Sequence, residues 1–239
     1  MTGSAAVLVR LVAATLASYP LGLASGQAWL LPLLNTVPAY ATMVWLLRAG
    51  RRRDAVVAML VWAAALAVFG TAVFALWPAP PDALVLNGPA YRDEMFHWIR
   101  TGEGREGDLR LFLPQHLGHL AAFVATSLVT ASALSIAMGA VLMNFMSFYV
   151  ASLAREGVPA AAVALLGWQP WALCRVAAFC TLGVVLSEPL LSRVRPYGYE
   201  GLRASVPYLA GAALGIFADW VLKATLAPAW GRWLAGSLP

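Results

Sequence analysis

Long apolar runs alternate with short polar connections along this chain. The runs are Ala5–Leu23, Trp29–Leu47, Ala55–Trp77, Leu117–Ala154, Trp171–Leu191 and Val206–Ala227. A helix that crosses a bilayer needs about 20 predominantly apolar residues, and every run except the fourth is close to that length. The pattern predicts an all-α fold, a polytopic bundle of transmembrane helices.

The fourth run is too long for a single membrane helix. It holds 38 residues without a charge, and as one straight helix it would measure about 57 Å, nearly twice the hydrocarbon core. We expect a break near Gly139, giving Leu117–Ala137 and Val141–Ala154, a pair that either crosses twice or is re-entrant. The prediction is about seven helices, or six plus a re-entrant hairpin.

The first run has two interpretations. It is either a retained transmembrane helix with Arg10 near the interface, or a signal peptide whose apolar core, Leu11–Leu23, precedes the small residues Ala24, Ser25 and Gly26. Because Tyr19 and Pro20 interrupt that apolar core, the retained helix is favoured.

Arginines at the ends of the runs predict the topology. One cluster lies between Arg48 and Arg53, after the second run, and another between Arg193 and Arg203, before the last run. Positively charged connections stay on the cytoplasmic side of a membrane. Both clusters therefore predict a plasma (inner) membrane protein with its N-terminus inside and its C-terminus outside.

Composition supports a single membrane domain over residues 1–239. Of the residues, 61% are hydrophobic and 11% charged, and the mean hydropathy is +0.74, whereas about 25% of the residues of a soluble domain are charged. The net charge of +5 comes from arginines at helix ends, so we expect the lipid bilayer as a partner and no nucleic acid.

The longest hydrophilic stretch follows the third run, which ends at Pro78, Ala79, Pro80 and Pro81. Under the predicted topology, residues 78–116 form an external loop. Within it, residues 91–101 have the pattern of a short amphipathic helix. We expect its apolar residues to lie in the membrane interface, where aromatic side chains are favoured; they are Met95, Phe96, Trp98 and Ile99.

This stretch also carries all three histidines of the chain. Glu94 and His97 are three residues apart, as are His116 and His119, so on helices each pair points one way. One carboxylate and three imidazoles form a ligand set for a divalent transition metal such as zinc or non-haem iron. The alternative is that the four are interfacial polar residues at the point where a helix enters the membrane.

Two short motifs resemble known families. The sequence Phe112-Leu113-Pro114-Gln115-His116, with the acidic pair Asp93-Glu94 upstream, resembles intramembrane glutamic proteases of the CAAX-processing type. That resemblance implies hydrolysis at the membrane, although the family's E-E-x-x-x-R spacing is absent. The D-x-x-x-K of Asp219 and Lys223 in the last run resembles the retinal-lysine helix of microbial rhodopsins.

Three charged residues lie within apolar runs, where a charge marks a functional site by default. Lys223 is the only lysine of the chain, and Asp219, four residues earlier, can neutralise it on the same helix face. Arg175 can pair with Asp219 or with an acid of the external stretch. Together they predict an intramembrane polar contact.

Gly211 and Gly215 form a G-x-x-x-G in the last run. This spacing lets two helices approach closely, and the second helix belongs either to the same chain, to another copy or to another membrane protein.

Two functional hypotheses follow. The first is a non-enzymatic membrane component, a permease-like subunit or assembly factor whose external polar loop docks a partner or lines an entrance. The second is a membrane-embedded hydrolase, metal-dependent or of the glutamate/histidine type. In that enzyme Glu94 would be the general base, and the metal ligands or acid partners would be His97, His116 and His119. The scarcity of histidines favours the first.

Overall fold

The structure, a computed structural model, describes residues 2–79, 81–194, 201 and 203–239. These residues form nine α-helices and two short 3-10 helices, Asp82–Leu84 and Arg203–Ser205, and contain no strand. The α-helices are α1 (Thr2–Ala24), α2 (Leu30–Arg48), α3 (Arg52–Leu76), α4 (Gly88–Thr101), α5 (Leu109–Thr130), α6 (Ala133–Arg155), α7 (Ala160–Leu166), α8 (Pro170–Val194) and α9 (Val206–Ala235). The predicted all-α class is confirmed.

Six of the described helical segments are long and apolar enough to cross a membrane, as expected of a multi-pass membrane protein. They are Ser4–Ala24, Leu30–Arg48, Arg52–Leu76, Ala133–Arg155, Pro170–Val194 and Arg203–Ala235. Helix α5 is not among them, because polar residues of the hydrophilic stretch occupy its first half. The predicted seven helices correspond to these six and α5.

The long fourth run breaks at Ala131 and Ser132, so the break predicted near Gly139 is wrong. Both residues have positive φ angles, 48° and 67°, and turn the chain from α5 into α6. The Ser132 hydroxyl donates a hydrogen bond to the carbonyl oxygen of Gly183 on α8, at 2.6 Å. This hydrogen bond connects the turn to α8, whereas Gly139 lies inside α6.

The two arginine clusters lie at one end of the bundle. Arg52, at the start of α3, contacts Glu188 of α8 at 2.9 Å and donates to the carbonyl oxygen of Ala204, just before α9. We call this the arginine end, and the opposite end, where residues 81–108 lie, the loop end. Pro80 and Arg195 lie outside the described residues.

Helix α1 is an integral part of the bundle core. The Tyr19 hydroxyl is fully buried and lies 3.0 Å from both the Leu66 carbonyl oxygen of α3 and the Asn144 Oδ1 of α6. The Asn144 amide donates in turn to Asn35 Oδ1 of α2, at 2.8 Å. Buried polar groups are costly unless they are hydrogen-bonded, so this network holds four helices in one arrangement.

Helix α4 packs against other helices, so its apolar side chains are buried in the protein and do not face the membrane interface as expected. Met95, Trp98 and Ile99 are 0%, 1% and 4% exposed, because they pack against α6 and α9. At Gly231 of α9 the Trp98 ring comes so close that an added Cβ would lie 3.2 Å from it. The hydrophilic stretch therefore folds back onto the bundle and covers part of its loop end.

Candidate functional site

A cavity of about 230 Å³ lies between α3, α5, α6 and α8, below α4 and the connection from α4 to α5. Most of its polar lining comes from the loop end and includes Tyr91, Glu94, Arg105, Glu106, Gln115, His116, His119 and Arg175. Its deeper lining is mainly apolar, including Met59, Trp62, Phe123, Ile136, Phe179 and Val184. On α8, Arg175 and Val184 are nine residues apart, which is about 13 Å along a helix. The cavity thus has a charged end and an apolar end.

Arg175 and Asp219 form a two-point ion pair between α8 and α9 at the charged end. Arg175 Nε lies 3.1 Å from Oδ2 of Asp219, and Nη2 lies 2.9 Å from Oδ1. Asp219 is fully buried, and the His116 Nδ1 lies 3.6 Å from its Oδ2. Of the two partners that the sequence offered for Arg175, Asp219 is the one in contact.

Lys223 pairs with Glu106 rather than with Asp219, the counter-ion that the sequence suggested. Its ammonium lies 2.9 Å from Glu106 Oε1, an ion pair by distance but without good hydrogen-bond geometry. It also lies 3.4 Å from the centre of the Phe112 ring, a cation–π contact. Both oxygens of Asp219 are occupied by Arg175, so Lys223 takes its counter-charge from another segment.

Glu106 is the site residue that sequence reasoning missed. It sits between Gly104 and Gly107 in the connection before α5, and its side chain is only 11% exposed. The Trp171 indole donates a hydrogen bond to its Oε2 at 3.2 Å. The sequence feature that could have indicated Glu106 is the pair of glycines around it, since glycines let the backbone of a connection come close to other elements.

The structure does not group the four proposed metal ligands. Glu94, His116 and His119 line the cavity, but His97 does not, and its side chain is 57% exposed beside Glu103 at 4.0 Å. Across the described ranges, no three His, Cys, Asp or Glu side chains are close enough to hold a metal ion.

The charges around the polar end are balanced. Arg105 lies 3.4 Å from Glu94, a third ion pair that is partly exposed and therefore weak. With the two buried pairs, three cations face three anions. Tyr91 adds an uncharged phenol, and burial and the Glu106 carboxylate raise the pKa of that phenol well above its usual value.

Several buried polar atoms of the described residues make no hydrogen bond, and the imidazole of His116 contributes one of them at this end. The Nε2 of His116 makes no hydrogen bond, and the ring, 2% exposed, packs against Phe112, Phe179 and Trp220. A buried nitrogen without a hydrogen bond costs about 1–3 kcal/mol. A polar group of a bound molecule that exchanges a hydrogen bond with the His116 Nε2 would remove that cost.

The cavity can thus hold a molecule with one polar and one apolar part. No protein-family model matches this sequence, and no curated protein or solved structure is similar to it.

Proposed function

We propose that this protein is a non-enzymatic, permease-like component of the plasma (inner) membrane that binds an amphiphilic molecule in its cavity. The observation that supports this is a cavity with charged side chains of three ion pairs at one end and apolar side chains at the other. An apolar chain gains about 25 cal/mol for each Å² that it buries, and a polar group loses free energy on burial unless it finds partners. An amphiphile satisfies both conditions.

The polar lining supports entry at the loop end. The side chains of Glu94 and Arg105 are 32% and 50% exposed, whereas those of Arg175 and His116 are 22% and 2% exposed. The side chains of Glu94 and Arg105 are thus nearer to solvent than those of Arg175 and His116, as expected if the cavity opens beside Glu94 and Arg105. The folded-back hydrophilic stretch therefore lines an entrance, which is one of the two roles expected for it.

Filling the apolar end tests the proposal. Gly139 lines this end, and an added Cβ there would meet only the tip of the Trp62 ring, at 3.9 Å. Gly139→Leu should therefore fit and occupy space that a bound chain needs. Gly118 on α5 is the matched control, because it is outside the cavity lining and an added Cβ there meets nothing within 4 Å.

The measurement is native mass spectrometry of the full chain with a monoacyl phosphoethanolamine as the probe. Wild type and Gly118→Leu should bind the probe, and Gly139→Leu should bind at least tenfold more weakly. Equal binding by all three proteins would overturn the proposal, and so would the failure of every monoacyl probe, whatever its headgroup charge, to bind wild type.

One observation favours the hydrolase as a second candidate. Two carboxylates, Glu94 and Glu106, and two imidazoles, His116 and His119, line the same cavity, and these groups serve in general acid–base catalysis. The molecules that co-purify with wild type and with Glu94→Gln discriminate between the candidates. A hydrolase would retain intact substrate only in the variant, whereas a binding protein would hold the same molecule in both.

A further inference from the structure

We propose that the polar group of the bound amphiphile carries no net charge, being either zwitterionic or uncharged. This inference rests on the proposed function and names the class of molecule that the cavity accepts.

The first argument is that the buried charges at the polar end are already paired. Arg175 directs two nitrogens at the two oxygens of Asp219, and Lys223 lies 2.9 Å from Glu106. Strong binding of a phosphate or carboxylate requires cationic donors that are available to it. An anionic group would have to displace Asp219 or Glu106 and leave a buried carboxylate without its partner.

The second argument is the cost of a net charge at this depth. With the imidazoles counted as neutral, the three cations balance the three anions. Asp219 is 0% exposed and Lys223 is 2% exposed, so these groups are away from water. Burying one more unpaired charge beside them is expensive, and the penalty applies to a cationic group as much as to an anionic one.

The third argument is the supply of uncharged partners. Tyr91, Gln115 and His119 line the cavity, and their side chains carry a hydroxyl, an amide and an imidazole. The His116 Nε2 is buried without a partner among the described residues. A polar group that exchanges hydrogen bonds, or one with both charges, finds partners here without breaking an ion pair.

Binding by the full chain in detergent tests the inference. The probes are four monoacyl amphiphiles of one chain length: an uncharged glycerol ester, a zwitterionic phosphoethanolamine, an anionic phosphoglycerol and a cationic trimethylammonium compound. Wild type should bind the first two at least tenfold more tightly than the last two. The comparison of the first two shows whether the preferred group is zwitterionic or uncharged.

Removing one negative charge from the site tests whether the charge balance causes the preference for a neutral polar group. Glu106→Gln leaves Lys223 without its counter-ion and should move the preference at least tenfold towards the anionic probe. Glu103→Gln is the matched control on the same connection, since Glu103 is 81% exposed and outside the cavity lining; it should leave the preference unchanged. If Glu106→Gln does not fold, Glu94→Gln makes the same change of charge at a partly exposed position.

The outcomes separate the inference from the proposed function. If no probe binds to wild type, the proposed function fails. If probes bind but the anionic or cationic one binds as tightly as the neutral ones, only this inference fails. A neutral preference that stays unchanged in the folded Glu106→Gln protein also overturns it, because the charge balance would then not be the cause.

Discussion

Asp219 holds the charged end of the cavity together, because it is the carboxylate that faces Arg175. Asp219→Asn would leave the guanidinium near a neutral amide. Breaking a buried pair in this way should cost about 2–4 kcal/mol, less than for a fully buried pair because the Arg175 side chain is 22% exposed. Thermal unfolding followed by tryptophan fluorescence should show a clearly lower midpoint.

Two further variants test whether the lower midpoint comes from the loss of the partner of Arg175. Asp93→Asn, at an exposed position of α4, should leave the midpoint nearly unchanged. The double variant Asp219→Asn/Arg175→Gln should recover part of the loss, since no unpaired cation remains. Equal midpoints for Asp219→Asn and wild type would show that the pair contributes little.

The charged site residues were partly predictable from the sequence. Arg175, Asp219 and Lys223 stand out because a charge in an apolar run needs a partner, and all three lie at the cavity or next to it. Glu106 was not predictable in the same way. An acid in a hydrophilic stretch is usually solvated, and only the fold places it against Lys223.

Two glycines of α9 provide a test of packing between helices. An added Cβ at Gly215 would lie 3.1 Å from Ala178 Cβ and 3.2 Å from the Cys174 carbonyl oxygen of α8, whereas at Gly211 it would meet nothing within 4 Å. Gly215→Leu should therefore destabilise the protein by about 1–3 kcal/mol. Gly211→Leu should be neutral or slightly stabilising, because leucine favours a helix more than glycine does.

The measurement is the unfolding midpoint of both variants, with the oligomeric state followed by light scattering. Both substitutions bring the same gain in helix propensity, so a difference between them reports packing alone. If Gly211→Leu were the more damaging variant, or if it dissociated an oligomer, α9 would use this glycine to contact a second copy.

Helix boundaries show where the apolar pattern is informative and where it is not. The limits of α2 and α3 lie close to the predicted ones, because charged or proline-rich connections border them. The break between α5 and α6 is at Ala131 and Ser132, seven to eight residues before Gly139, where it was predicted. Serine and threonine are frequent around it, and such residues can end a helix, but the hydrogen-bond acceptor of Ser132, the carbonyl oxygen of Gly183, is on another helix and cannot be inferred from the local sequence.

The orientation of the whole molecule in the membrane remains a prediction from the arginine clusters. In a variant whose two cysteines are replaced by alanine, Glu103→Cys at the loop end should react with a membrane-impermeant maleimide on intact spheroplasts. Ala49→Cys at the arginine end should react only after the membrane is permeabilised. The opposite pattern would place the N-terminus and the arginine end outside.

The sequence by itself determined the class of this protein, because the bilayer imposes a length and an apolarity on each helix that can be read from one run at a time. It also identified the charged residues that need partners within those runs. Only the tertiary structure decided which partners they have. It folded α4 back into the bundle and brought Glu106 to Lys223 across 117 positions of sequence. The periodicity of a helix indicates which side of it is buried, but not which element covers that side. The cavity exists because of which elements cover those buried sides, and this is decided by the tertiary structure.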